Sequence, residues 1–224
     1  MADLQALGGA IEAGNRSMAR QITQEAVDAG MPPRAILAAM TDAMDAVGAR
    51  FQRNEIYVPE MLISARAMKE ATAILQPVLV ASGIRPEHTA IIGTIKGDLH
   101  DIGKDLVAMM WKGANIEVFD LGTNVTAEQF VEAAVAHGAS VVGVSALLTT
   151  TMVGMRAVVD AVRAASLDRV SVIVGGAPIT AEFAQEIGAD AYAPDAATAV
   201  DAARQAIAKR IAAPAGTIAS EARS

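Results

Sequence analysis

The chain contains no cysteine, so neither a disulfide framework nor a thiolate metal site is open to it. Aromatic residues make up only 3%, and the core must be built from aliphatic side chains and 11 methionines. No stretch approaches the ~18 consecutive apolar residues of a membrane span. The opening Met1-Ala2-Asp3-Leu4 lacks the basic and apolar segments of a secretion signal, so a cytoplasmic protein is expected. No cluster of Lys and Arg stands against the formal charge of -7, which repels phosphate backbones and anionic surfaces. Neither nucleic acid nor a membrane is an expected partner.

What is present is apolar and alanine-rich. At 224 residues and 53% hydrophobic, the chain can form one large domain or two small ones, with helix dominant. Leu4, Leu7 and Ile11 recur at helical spacing, and Asn15 is placed to cap a second helix ending at Gly30. Pro32-Pro33 opens a third, striped by Ile36, Leu37, Met40, Met44, Val47 and Phe51. After the polar break 52–55, a fourth starts at Pro59 and runs toward Gly83, with Pro77 placed to kink its last turn. Four amphipathic helices joined by short turns predict a bundle over residues 1–85.

The pattern changes after Gly83-Ile84-Arg85-Pro86-Glu87. Short apolar runs at 89–95, 116–119, 140–145, 170–174 and 189–192 alternate with helical stretches at 101–112, 127–137, 153–165, 181–187 and 198–211. Such alternation predicts an α/β domain over 86–212, a flavodoxin-like (Rossmann-like) five-stranded parallel sheet with helices on both faces. The tail 213–224 has no period and is expected to be disordered.

Sheets of this kind bind ligands at the carboxyl ends of their strands, where strand order reverses. In a flavodoxin-like order that point lies between the first and third strands. The loops there read Lys96-Gly97-Asp98-Leu99-His100-Asp101-Ile102-Gly103 and Ser145-Ala146-Leu147-Leu148-Thr149-Thr150-Thr151, and Gly175-Gly176 follows the fourth strand. A lone histidine beside acidic residues is commonly a surface or capping residue, and Asp98 and Asp101 suit a helix N-terminus. Zinc is poorly served by three histidines in unrelated segments. A hydrolase is poorly served by a chain without a Gly-x-Ser-x-Gly elbow. As a metal ligand, His100 makes sense only if a tetrapyrrole-like macrocycle supplies the other donors.

Asp98-x-His100-x-x-Gly103, followed by Ser145-x-Leu147 and then Gly175-Gly176, resembles the three-part signature of proteins that bind cobalamin base-off/His-on. The likeness covers nearly the whole chain, because the helical segment 58–66 is similar to the bundle preceding this domain in methyl-carrying members. In layout the chain is similar to the corrinoid proteins of methanol, methylamine and aryl-methyl-ether methyltransferase systems, and to the cobalamin module of methionine synthase.

The resemblance implies a methyl carrier with no catalytic residue independent of its cofactor. His100 is then the lower axial ligand of cobalt in cobalamin or a related corrinoid. Asp98 receives the proton-bearing ring nitrogen of His100. Thr151 continues the relay at a position where methionine synthase has serine. Gly97, Leu99, Asp101 and Ile102 flank the ligand. Ser145 and Thr149 contact the displaced nucleotide tail, Leu147, Gly175 and Gly176 line its slot, Gly103 leaves it room, and Ala196 lies near its far end. Tyr57, Val58, Met61 and Leu62 of the bundle are candidates for the side chains over the upper face. The implied partners are a substrate-specific methyltransferase, a second methyltransferase serving tetrahydrofolate or a thiol, and a reductive activating protein.

Other classes share parts of this pattern. A mutase subunit carries the histidine motif but requires a barrel domain for its substrate. A cobalamin-dependent sensor carries a DNA-binding segment, and the acidic bundle offers no basic helix-turn-helix. A flavodoxin-like module without cobalt binds flavin instead.

Overall fold

The computed structural model describes residues 3–212. The expected tail, 213–224, lies outside them. Two compact units emerge: one runs to Glu87 and includes Met109–Ile116, and the other takes His88–Ala108 and the chain from Glu117 onward. The predicted linker at 83–87 leads up to the first change of unit, whereas the return of Met109–Ile116 to the helical unit has no counterpart in the sequence pattern.

The first unit is built on α1 (Leu4–Glu12), α2 (Arg16–Asp28), α3 (Pro33–Gln52) and α4 (Val58–Ala81). Asp3 caps α1 by accepting the Gln5 and Ala6 N–H groups, and Asn15 caps α2 through Met18 N–H. The fourth helix starts one residue before Pro59, where the Glu60 carboxylate accepts the Tyr57 N–H at 3.0 Å. It continues past Pro77 to Ala81, so the proline sits inside the helix. Leu7, Ile11, Ile36, Met40, Met44, Met68 and Leu75 are buried, the aliphatic and methionine interior that a low aromatic content requires. Arg16 and Arg20 both reach Glu70, joining α2 to α4 at the surface.

The second unit is a five-stranded parallel sheet in the order β2-β1-β3-β4-β5. Its strands are β1 (Thr89–Thr94), β2 (Glu117–Asp120), β3 (Val141–Ser145), β4 (Ser171–Gly175) and β5 (Ala191–Ala193). The connecting helices are α5 (Ile102–Gly113), which begins in this unit, α6 (Ala127–His137), α7 (Thr149–Met152), α8 (Met155–Ala164), α9 (Ala181–Glu186) and α10 (Ala196–Ala212). The inner strands β1, β3 and β4 are buried nearly throughout, as continuous apolar runs in a sheet covered on both faces must be. Thr126 and Gln129 form a reciprocal capping box on α6, which ends at Gly138 with φ 58°.

Two expectations need correction. The apolar period predicts a loop from Thr149 up to Val153, yet Thr149–Met152 forms a helical turn before Gly154 separates it from α8. The last helix begins at Ala196, two residues earlier than its apolar period suggests, because Asp195 accepts Thr198 N–H at 2.7 Å and opens it. Among the described residues, no helix is long and apolar enough to cross a membrane.

Gly93 in β1 shows how tightly α6 sits on the sheet. A Cβ there would lie 2.9 Å from Phe130 Cζ, so glycine is what admits the fully buried Phe130 ring. Phe130→Ala should therefore lower the stability of this unit by roughly 3–5 kcal/mol, read from chemical denaturation curves.

Candidate corrinoid site

The turn after β1 is set by Gly97, at φ 86°, with Asp98 N–H donating to the Ile95 carbonyl at 3.1 Å. This turn buries the Asp98 side chain completely at the switch point between β1 and β3. A buried carboxylate must find donors for both oxygens. Oδ1 receives the His100 N–H at 3.1 Å and lies 2.6 Å from the ring Nδ1. Oδ2 receives Leu147 N–H at 2.8 Å, Leu148 N–H at 3.2 Å and the Thr151 hydroxyl at 2.9 Å. Thr151 can reach because α7 turns its hydroxyl back, where it also meets the Leu148 carbonyl at 3.0 Å.

Burial pushes the Asp98 carboxyl up, but the Leu147 N–H, the His100 ring and N–H, and the Thr151 hydroxyl outweigh it and hold the group well below the usual carboxylate range. An ionised carboxylate fixes the adjacent ring as its Nδ1–H tautomer, which leaves Nε2 with a free lone pair. The His100 side chain is 53% exposed, so this nitrogen belongs to the open end of the pair. Leu99, Ile102, Leu147 and Leu148 are exposed apolar side chains on the same two loops.

Among the described residues, no group of three or more His, Cys, Asp or Glu side chains could hold a metal ion by itself. One imidazole nitrogen within an apolar rim fits a metal whose equatorial donors come from a flat macrocycle. In that respect the residues present suit a corrinoid.

The other predicted positions divide by what the structure asks of them. Ser145, at the end of β3, is half-buried and accepts the Ile95 N–H through its carbonyl; Thr149 is exposed at the start of α7. Asp101 is exposed just before α5, and its carbonyl accepts Asp105 N–H. Ala196 is buried as the first residue of α10. Gly103 has open space where a Cβ would be, so nothing in the protein itself requires glycine there. Gly175 and Gly176 are the reverse case: a Cβ would meet the Ala193 carbonyl oxygen at 2.7 Å and the Ala146 carbonyl oxygen at 1.9 Å. Their small size is demanded by neighbouring backbone, and not by a ligand alone. In the helical unit, Tyr57 is exposed, Val58 and Leu62 are half-buried, and Met61 is buried.

Three contributors escaped the motif reading. The buried Thr94 hydroxyl donates to the His100 carbonyl at 2.8 Å. Asn124, from the loop after β2, accepts Gly97 N–H at 2.8 Å and donates its own N–H to the Asp98 carbonyl at 3.0 Å. Lys104, only 2% exposed, meets Asp105 and Asp120 at 2.5 Å each. Burial pushes its ammonium down, but the two carboxylates outweigh that and hold it above the ordinary lysine range. Of the three, Lys104 carried a usable signal, a lysine inside a helix start between acidic positions.

Two family models, each described as B12 binding domain, match residues 88–204 and 4–76. The chain belongs to the B12-binding corrinoid proteins. Among its relatives, the monomethylamine corrinoid protein 2 of Methanosarcina acetivorans is 42% identical over 189 residues, 82% of this chain and 87% of the relative. The dimethylamine corrinoid protein 3 of the same organism is 36% identical over 210 residues, covering 92% and 99%. A chain from the crystal structure of the methanol:cobalamin methyltransferase complex of Methanosarcina barkeri superposes with a TM-score of 0.80 at 25% identity, over 94% of this chain and 80% of that one. Both units of this corrinoid protein are therefore matched, the helical one and the sheet.

Two glycine substitutions separate ligand from fold. Gly103→Ala should raise the stability of the corrinoid-free protein by about 0.4–1 kcal/mol, since alanine suits a helix better, while weakening corrinoid binding. Gly176→Ala should destabilise the protein whether corrinoid is present or not. Denaturation midpoints and cobalamin titrations distinguish the two.

The sign of the pH effect at Asp98 follows from its lowered folded-state pKa. The carboxylate contributes stability that is fully present above its unfolded pKa of about 3.9 and fades as pH falls below it. In the corrinoid-free protein, the stability gap between wild type and Asp98→Asn should be constant above about pH 5 and narrow toward pH 3. Denaturant melts across that range provide the measurement; a gap that widens on acidification contradicts the assignment.

Proposed function

We propose that this protein is a methyl carrier: it holds a corrinoid through His100, takes a methyl group from a substrate-specific methyltransferase and delivers it to an acceptor through a second enzyme. The observation that carries the reading is the Asp98–His100 pair, in which Nδ1 is committed to a buried carboxylate and Nε2 is left for a metal. A bound corrinoid would supply a cobalt ion able to accept and give up a methyl group.

What the chain's own residues do is orient and tune. Asp98, fixed from Leu147, Leu148 and Thr151, sets the tautomer of His100 and strengthens it as a donor. The Thr151 hydroxyl extends the same chain of hydrogen bonds toward α7. Ser145, Thr149, Leu147, Gly103 and Ala196 mark the path proposed for the nucleotide tail, and the exposed Leu99 and Ile102 border the ring.

The donor and acceptor belong to the partners. The relatives are named for monomethylamine and dimethylamine, and the structural neighbour comes from a methanol system, which supports a methyltransferase as the first partner. Tetrahydrofolate or a thiol as final acceptor, and a reductive activating protein, complete the scheme. A capping role for the helical unit, residues 1–85, is part of the proposal, with Tyr57, Val58, Met61 and Leu62 as its candidate residues. Mutase-subunit and sensor readings have no specific observation in their favour.

The test is reconstitution with hydroxocobalamin. Wild type should bind it with the visible spectrum of histidine-ligated cobalamin. His100→Ala should remain folded, lose that spectrum and bind more weakly by at least the roughly 10–100-fold that loss of an outer partner of a metal ligand costs. An unchanged spectrum in the variant would rule out His100 as the ligand.

A further inference from the structure

The loop after β2 contributes nothing to the three-part signature, yet it grips the His100 loop from the side opposite β3. Asn124 Oδ1 accepts the Gly97 N–H at 2.8 Å, and Asn124 N–H donates to the Asp98 carbonyl at 3.0 Å. The Gly122 carbonyl accepts Thr94 N–H at 2.9 Å, and Val125 N–H returns to the Thr94 carbonyl at 2.9 Å. At the other end of the same loop, Asp120 takes the buried Lys104 ammonium, the third residue of α5. The stretch from Asp120 to Val125 is thus tied to residues before, within and after the turn that carries His100.

Anchoring the Asp98 carboxylate is not enough to fix that turn. Its Oδ2 is held by Leu147, Leu148 and Thr151, but two rotatable side-chain bonds separate it from the backbone. The main chain is also held at Asp98 N–H by the Ile95 carbonyl and at the His100 carbonyl by the Thr94 hydroxyl, which still leaves the Gly97 N–H and the Asp98 carbonyl free to turn. Bonds to the Gly97 N–H and the Asp98 carbonyl remove this freedom, and both come from Asn124.

We propose that Asn124 is the positioning residue of the His100 loop, and that through Gly97 and Asp98 it holds the imidazole in its ligating pose before corrinoid arrives. This inference rests on the corrinoid-carrier reading. The gain is preorganisation: the loop is ordered in advance, so less of the ligation free energy goes into ordering it. An alternative role is local, since Asn124 has φ 59° and asparagine is favoured in that conformation for its own sake.

Two substitutions separate these roles. Asn124→Gly suits the positive φ and keeps the backbone N–H, removing only the side-chain acceptor; Asn124→Asp keeps an oxygen for Gly97 N–H. In full-length, corrinoid-free protein, the His100 Nδ1–H resonance should exchange with solvent about tenfold faster in Asn124→Gly, as expected for the loss of one hydrogen bond, and return to the wild-type rate in Asn124→Asp. After loading with cobalamin and reduction to cobalt(II), the fraction of cobalt showing axial-nitrogen splitting by electron paramagnetic resonance should fall in Asn124→Gly and recover in Asn124→Asp.

Wild-type exchange and a wild-type histidine-ligated fraction in Asn124→Gly would overturn the proposal. So would failure of that variant to fold, because it would place Asn124 in the stability of the unit. If the wild-type protein bound no cobalamin at all, the carrier reading would fail, while the exchange measurement would still decide whether Asn124 positions the loop.

Discussion

The structure of the sheet unit depends on one buried negative charge. Asp98 is inaccessible to water, and a carboxylate in that position is tolerable only if its oxygens are saturated with donors. Satisfying Oδ2 requires the chain leaving β3 to turn so that two successive N–H groups and a hydroxyl converge on one point. Satisfying Oδ1 requires the chain leaving β1 to double back on itself through Gly97. The two strand ends are thereby locked at the switch point, and the imidazole is presented at the surface as a by-product of neutralising the charge beneath it. Site and fold share the same hydrogen bonds, so turning the His100 ring away takes a donor from Asp98 Oδ1.

Much of this arrangement was legible in the sequence because it follows from short-range rules. Strand and helix spans follow largely from apolar period, and Asn15 and Pro33 sit where helix ends need them. The connection among Asp98, His100 and Thr151 came only from the resemblance to cobalamin-binding proteins, while the alternation itself implied that the two loops carrying it are neighbours. What escaped was whatever depends on a third chain segment. Asn124, Thr94 and Lys104 act through loops meeting in space, and neither period nor spacing records which polar residue of a loop faces a neighbour. The same limit explains the split of α5 between two units, for its apolar pattern is continuous along the helix.

The glycines show how one residue type can be present for opposite reasons. At positions 175 and 176, carbonyl oxygens of Ala193 and Ala146 occupy the space a side chain would take, and the fold alone accounts for them. At position 103 a Cβ would meet nothing within 4 Å beyond its own stretch of helix, and glycine in a helix is a cost the isolated chain has no need to bear. A sequence motif treats these positions alike; the surrounding atoms separate a constraint the fold imposes from one it does not.

The scarcity of aromatic side chains gives the molecule a built-in optical probe. Trp111 is the single tryptophan, and it is buried in the later part of α5, in the stretch Met109–Ile116 that groups with the helical unit. Its emission therefore comes from one known place, without a second emitter of the same kind to blur it. A corrin, which absorbs strongly across the near-ultraviolet and visible, would act as an energy acceptor for that emission. Loading of the carrier can thus be followed by the dimming of one natural fluorophore, with no label attached.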